Sequence, residues 1–504
     1  MKDKGKLPPL VHNWVSYSGA VIAGVSGLLI LFLLITDLIS GLPNPYLGIL
    51  LFLVLPAMMI AGLVLIPFGM YVRWRAHRTD RTVSRTTWPS LDLNDGRQRN
   101  AALIFVLGSL IFILMSTVGL YQAYRFTDSV TFCAMTCHSV MKPEYSTFQR
   151  SPHARLKCVE CHIGPGAGWY ARSKLSGLYQ VYAVLADIYP RPIPNPIKNL
   201  RPVQEDCELC HWPLQFFGQG MKRFDHYFYD NANTHWSITM LVKTGGLERG
   251  RKIAGGIHWH TDRNIEVDYA ARDTKRQDIP WVRVTNLATG KRTLYKSNTV
   301  TPGDDGPATA GWRRMDCIDC HNHPSHTFNA PDYEIDRTIY TGLIDAGIPE
   351  IKKIAVAAME KKYSSVDEAM DKIETFIRSH YKKNYPEFFA ANRDRIENAI
   401  RATQSAFSRN IFPSMKARWS NYRDNAGHLI SPGCMRCHDG NHKSDDGSII
   451  PHDCRTCHII LFQGKGQTTG DVSVTTGVDF RHPVDIGGMW KSGACYQCHD
   501  GTRP

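Results

Sequence analysis

Fourteen cysteines occur in this chain, in seven pairs, and each pair is followed at once by a histidine. The sets are Cys133/Cys137/His138, Cys158/Cys161/His162, Cys207/Cys210/His211, Cys317/Cys320/His321, Cys434/Cys437/His438, Cys454/Cys457/His458 and Cys495/Cys498/His499. Six read C-x-x-C-H, and the first, CAMTCH, has one extra residue between its cysteines. Two thiols at this spacing can add across the two vinyl groups of a haem, while the adjacent imidazole reaches the iron as proximal ligand. Pairs of this spacing also bind zinc, and cysteines in oxidising compartments form disulfides, but neither use requires a histidine after every pair. Histidine fills 21 of 504 positions. Seven flanking histidines by chance is then on the order of one in 10¹⁰, whereas covalent haem attachment accounts for all of them. Seven c-type haems are expected.

A haem iron in an electron-transfer protein takes a second axial ligand, most often histidine or methionine. The candidates in short loops beside the motifs are His153, His326, His428, His442 and His482. His235, His258 and His260 are possible suppliers from the motif-free stretch 212–316. Near the first haem, Met135 and Met141 flank His138, and either sulfur could reach that iron. A methionine would raise that haem's potential above those of bis-histidine haems.

The formal charge is +13, which would ordinarily raise nucleic acid or an anionic membrane as partners. Two propionates on each haem offset much of it, so no nucleic-acid partner is expected. The apolar content, 43%, is ordinary, but its distribution is not. Three apolar runs, at about 14–39, 46–72 and 101–121, are each long enough to cross a bilayer, and GLPNP turns the first pair into a hairpin. Lys2, Lys4 and Lys6 precede them. Arg73, Arg75, Arg78, Arg81, Arg85, Arg97 and Arg99 lie between the second and third. The positive-inside rule then puts the N-terminus in the cytoplasm and everything after residue 125 outside it. The first run is too long for a cleaved signal peptide. Asp37, near the outer end of the first run, is the only acid in the runs, and an intramembrane acid is a functional suspect. No histidine sits mid-run, so no membrane-embedded haem is expected.

The expected class is a mainly α and irregular multihaem cytochrome c with three N-terminal transmembrane helices and a small β-rich insertion. Its divisions are a membrane domain over 1–125, a domain with haems one to three over 126–215, and the insertion with haem four over 216–330. A helical segment over 331–425 and a C-terminal domain with haems five to seven over 426–504 follow. Residues 164–187 read as helix. In the insertion, 265–269 and 281–284 read as strands, and VTNLATGKRTLYK reads as a hairpin turning at Thr289 and Gly290.

Residues 101 to about 215, with a helix leading into FC…CH, then PEY, CVECH and DCELCH, resemble the NapC/NirT/NrfH family of membrane-anchored quinol-oxidising cytochromes. With its three helices and seven motifs, the whole chain more narrowly resembles the ImcH-type heptahaem inner-membrane cytochromes of metal-respiring bacteria. In the wider family a methionine just after the first motif can ligate the haem nearest the membrane, in the pattern C-x-x-C-H-x-M. Met141 stands one residue later than that. A lysine and an acid after the second motif form the family's quinol site. Lys174 matches the lysine, while Gln180 and Val181 stand where the acid is expected, which leaves Asp37 or a haem propionate as proton acceptor.

The resemblance implies a quinol dehydrogenase at the outer face of a bacterial inner membrane, passing electrons from menaquinol to periplasmic c-type cytochromes in anaerobic or extracellular respiration. Two other readings stay open. A passive conduit would dock on another quinol-oxidising subunit. A nitrite- or hydroxylamine-type reductase would need an open catalytic iron, often marked by lysine in place of a motif histidine, and all seven motifs here end in histidine.

Overall fold

A computed structural model of the chain describes residues 13–40, 50–79, 93–136, 138–164, 166–196, 206–211, 218–245, 256–304, 306, 311–465, 474–491 and 493–503. The chain divides into two compact units, residues 1–141 with 157–159, and residues 142–156 with 160–504.

In the first unit the leading apolar run forms α1 (Trp14–Ser40). The second forms a π-helical turn, Leu50–Val54, that passes into α2 (Leu55–Thr79). This helix outlasts the expected run by a turn or two and carries Arg73 and Arg75 with it. Long basic side chains allow that, because their stems stay on apolar surface while their charges reach water. Within these helices Trp14–Leu33 and Leu55–Arg75 are long and apolar enough to cross a membrane. The two pack closely at glycine. A Cβ at Gly19 would lie 2.5 Å from the Gly62 carbonyl oxygen, and one at Gly62 would lie 2.7 Å from the Ala23 nitrogen. Only hydrogen fits at this crossing, the means by which helices in lipid approach without a hydrophobic driving force. One turn away the buried Ser16 hydroxyl donates to the Ile66 carbonyl at 2.9 Å. The third run lies within α3 (Gly96–Thr127), which exposes Leu103, Val106, Leu107, Leu110, Leu114 and Val118. The side chain of Asp37 lies outside the described residues.

The second unit is built from two antiparallel sheets and a helical bundle. One sheet has the order β1 (Gln219–Tyr227), β2 (His235–Lys243), β8 (His458–Gly464). The other runs β6 (Arg313–Arg314), β3 (Ile265–Ala270), β4 (Trp281–Asn286), β5 (Arg292–Lys296), β7 (Lys443–Ser444). The hairpin expected in VTNLATGKRTLYK is β4–β5. Gly290, at φ 70°, donates its N–H to the Asn286 carbonyl at 2.8 Å, a left-handed position that favours glycine. The β structure exceeds a small insertion. Strands β7 and β8 come from the C-terminal haem segment and complete both sheets, so 216–330 and 426–504 are woven together. Strands β1 and β2 carry no clean alternation of burial, since Ser237 is buried within β2, and were not singled out in the sequence.

The haem-free bundle comprises α8 (Pro331–Tyr340), α9 (Ile351–Glu360), α10 (Val366–Asn384), α11 (Pro386–Ala391) and α12 (Arg393–Asn410). Ile373, Ile377 and Tyr381 fall four apart on α10, Ile396 and Ile400 likewise on α12, and all are buried. Each such isoleucine contributes about 1.5–3 kcal/mol. Ser365 caps α10 by accepting the Glu368 N–H at 3.1 Å. Asp367 and Glu368 open the helix and Lys382 and Lys383 close it, both favourable to the helix dipole. Deep in the bundle the fully buried Lys352 pairs with Asp332 at 2.8 Å and with Asp336. His226, Asp332 and Asp336 bring three donor atoms within 4.8 Å of one another, but the two carboxylates already hold the Lys352 ammonium.

Candidate haem sites

The six C-x-x-C-H motifs lie on very short elements. Cys158–His162 forms α5, Cys317–Cys320 forms α7 and Cys454–Cys457 forms α13. The fifth and seventh motifs begin single 3₁₀ turns, Gly433–Arg436 and Cys495–Gln497. In the third, Asp206 and Cys207 are helical and Glu208, Leu209 and Cys210 form a hydrogen-bonded turn. The Cys207 carbonyl accepts the N–H of Cys210 at 3.1 Å and that of His211 at 2.8 Å. That single acceptor closes the turn as a helical element would. Cys210 is exposed, as are Cys161, Cys454 and Cys498, so its thiol is accessible to a haem vinyl group.

One such turn brings both cysteines of C-x-x-C to the same side and leaves the histidine at or just past its end. The first motif opens differently, on a π-helical turn over Thr131–Thr136. A π turn holds one more residue than an α turn, which suits the extra residue of CAMTCH. Cys137 and the His138 side chain lie outside the described residues. Met141 is three residues beyond His138 in α4 (His138–Phe148), so the two share a helix face.

Each of the other six motif histidines has one non-motif histidine ring opposite it. The ring centroids are His162 to His326, 6.2 Å; His211 to His153, 5.9 Å; and His321 to His258, 6.4 Å. The rest are His438 to His260, 5.8 Å; His458 to His428, 6.2 Å; and His499 to His482, 6.1 Å. An imidazole nitrogen binds a transition metal at about 2.0–2.1 Å and its ring centre lies roughly 1 Å beyond, so two rings across one iron stand about 6 Å apart. The residues present therefore fit bis-histidine haem.

The far nitrogens support the same fit. The Nδ1 of His326 is bonded to the Glu144 carbonyl at 2.9 Å and that of His260 to the Ile257 carbonyl at 3.1 Å. The Nδ1 of His258 is bonded to the Thr244 carbonyl, and that of His153 to the Ser325 hydroxyl at 3.3 Å. A carbonyl at Nδ1 requires the proton there, fixes the tautomer and leaves Nε2 with its lone pair for a metal. Burial keeps His326, His428 and His458 below the ordinary histidine range and His260 down at about 4. These rings are neutral, as ligation requires.

Two of the expected suppliers are engaged elsewhere. His442 is buried, with Nδ1 2.8 Å from the Asp439 carboxylate and Nε2 2.8 Å from the Ile279 carbonyl. Both partners are acceptors, so both nitrogens donate. Burial opposes the charge, yet those bonds leave its pKa raised, and no lone pair remains for iron. His235 bonds through Nε2 to Asp225 at 2.8 Å and lies between Tyr227 and Tyr340. Among the described residues neither ring faces a motif histidine.

Several supporting residues escaped sequence reasoning. Glu144, in PEY, is largely buried, which pushes its carboxyl up to about 7, and its carbonyl orients His326. Asp319, between Cys317 and Cys320, is buried and accepts from Tyr269 at 2.6 Å, Arg276 at 2.9 Å and Arg313 at 3.1 Å. Its carbonyl accepts from Arg436, between Cys434 and Cys437, at 2.6 Å. The available signal was the charged residue inside C-I-D-C and C-M-R-C.

Lys174 lies on α6 (Ala167–Leu185), with Nζ 4.6 Å from the Tyr170 ring centre. The same helix exposes Leu175, Leu178, Tyr179, Tyr182 and Leu185, which recur at spacings of three and four and so form one apolar stripe.

These features define a membrane-anchored multihaem cytochrome c. Residues 96–191 match the N-terminal region of the NapC/NirT cytochrome c family, and the chain belongs to that family. It is 43% identical over 487 residues to cytochrome c-type protein ImcH of Geobacter sulfurreducens, covering 97% of this chain and 95% of that one. It is also 30% identical over 118 residues to cytochrome c-type protein NrfH of Wolinella succinogenes, covering 23% and 65% respectively. No solved structure matches.

Proposed function

We propose that the protein is a heptahaem quinol dehydrogenase that oxidises menaquinol at the outer face of the bacterial inner membrane and delivers electrons to periplasmic c-type cytochromes. The observation that carries the reading is the six histidine pairs at iron-bridging distance in a chain with two membrane-spanning candidates. Haem bound at the seven motifs supplies one-electron Fe(III)/Fe(II) chemistry. The cysteines anchor it, and His138, His162, His211, His321, His438, His458 and His499 are the proximal ligands. His153, His258, His260, His326, His428 and His482 are the proposed distal ligands, with Met141 for the first iron.

Helix α3, with its exposed leucines and valines, is the proposed third span, and the arginine-rich stretch before it lies in the cytoplasm. Menaquinol gives up two electrons and two protons to become menaquinone. The electrons leave singly and the protons are released outside. Lys174 is the proposed headgroup contact, and the apolar stripe of α6 supports it, because a lipid-soluble substrate needs an apolar approach. Asp37 is the proposed proton acceptor.

Reduction of the full-length protein in detergent by a menaquinol analogue, followed by stopped-flow absorbance, tests the reading. Lys174→Ala should slow the step while dithionite still reduces every haem. An unchanged rate would remove Lys174 from the site, and no reduction of the unaltered protein would favour a conduit served by another subunit.

A further inference from the structure

We propose that the motifs hold their haem sites in single file in sequence order, with each neighbouring pair of sites joined by residues of the motifs or of the loops beside them. The inference rests on the heptahaem reading above and concerns how this chain's own residues place the sites.

Two hydrogen bonds and several charge interactions between cysteines of different motifs support the order. The Cys133 thiol is hydrogen-bonded to Cys158, linking the first motif to the second. Cys161 interacts with Cys207, and Cys207 is hydrogen-bonded to Cys317, linking second to third and third to fourth. Cys320 interacts with Cys434, Cys434 with Cys457, and Cys454 with Cys495. Every one of these interactions joins consecutive motifs. The fourth and fifth are also bound directly through Arg436 and the Asp319 carbonyl at 2.6 Å. Asn425, from the loop before the fifth motif, donates to that same carbonyl at 3.2 Å.

Four of the six distal histidines join consecutive sites. His153 lies just before the second motif and faces the third motif's His211. His428 lies just before the fifth and faces the sixth motif's His458. One 3₁₀ turn, Gly256–Thr261, supplies His258 to the fourth site and His260 to the fifth. A single rigid turn thus sets the spacing of two sites. His326, soon after the fourth motif, faces the second motif's His162. This is the one strap that skips a site. In a file of this order, electrons entering at the first motif have one route, and they leave from the seventh.

Removing the fourth attachment site tests the order. The double variant Cys317→Ala, Cys320→Ala, full length and in detergent, should lose one haem by intact mass. With a menaquinol analogue, its fast phase should carry about half of the α-band amplitude that dithionite develops, because sites five to seven are cut off. Cys495→Ala with Cys498→Ala removes the last site, and there the fast phase should carry all of the remaining amplitude. Full fast amplitude in the first variant, or a partial one in the second, would overturn the file. Iron positions from cryo-electron microscopy of the haem-loaded protein decide the order without any quinol. Neighbouring irons on consecutive motifs support the proposal, and a branch or an exchanged neighbour refutes it. Failure of quinol reduction in the unaltered protein counts against the quinol reading, and the iron positions then settle the file separately.

Discussion

His258 and His260 stand two residues apart in one 3₁₀ turn, yet their rings face the histidines of different motifs, His321 at 6.4 Å and His438 at 5.8 Å. The two pairs also differ in orientation. The ring planes of His258 and His321 are 17° apart and those of His260 and His438 are 88° apart. His428 and His458 are near parallel at 21°, and His153 and His211 are near perpendicular at 88°. Parallel imidazoles split the iron d orbitals and give rhombic low-spin signals, whereas perpendicular ones leave them nearly degenerate and give highly axial signals. The oxidised protein should show both classes in low-temperature electron paramagnetic resonance. His260→Met should remove one axial signal and raise one haem's potential. Spectra of a single class would contradict these ring orientations.

The two histidines that face no motif provide a contrast. His442→Gln and His235→Phe should leave the low-spin iron signals and the number of haems unchanged, while His428→Met should alter one iron. His442→Gln should still destabilise the fold, by about 1–3 kcal/mol, because a buried acceptor loses its donor. A changed axial ligand in either of the first two variants would restore that histidine as a ligand.

Lys352 makes a stability prediction. It is fully buried against Asp332 and Asp336, and Lys352→Met would leave two carboxylates buried without their cation. The expected cost is about 3–5 kcal/mol, read as a lower urea midpoint of the full chain in detergent.

Asp332 adds a pH dependence. Burial pushes its carboxyl up to about 6, even with the Lys352 ammonium beside it. A carboxyl raised in the fold contributes stability that is fully present below about pH 4 and is lost as the pH rises through about 6. The difference amounts to about 3 kcal/mol. Asp332→Asn should flatten the stability profile across this window, and an unchanged slope would assign it to other groups.

In the membrane hairpin the glycine crossing sets a steric limit. Gly62→Leu would drive a side chain into the backbone at Ala23, where even a Cβ comes within 2.7 Å. The two helices should separate, seen as faster proteolysis in detergent, while Gly24→Leu, with open space around its Cβ, should be tolerated.

Covalent haem attachment is written locally, in five consecutive residues, and so was legible without a fold. Membrane insertion depends on run length and hydropathy and was legible for the same reason, as was the helical bundle, whose apolar residues recur four apart. The proposed distal ligands were legible only as a pool of histidines. His326 meets His162, and His258 meets His321, across long stretches of chain, and nothing local distinguishes them from His235 or His442. What separates these histidines is which nitrogen meets an acceptor. A carbonyl at Nδ1 leaves a lone pair facing the motif, whereas acceptors on both nitrogens of His442 leave none. The sheets were partly hidden as well, because β7 and β8 belong to the C-terminal segment and form only against partners some 150 to 220 residues earlier.

By itself the sequence determined the chemistry of the cofactor and the means of anchoring, since both follow from residue type and short-range spacing. Only the tertiary structure decided which histidines pair, how their planes are turned and which motifs adjoin, because those are relations between segments that meet only when the chain is folded.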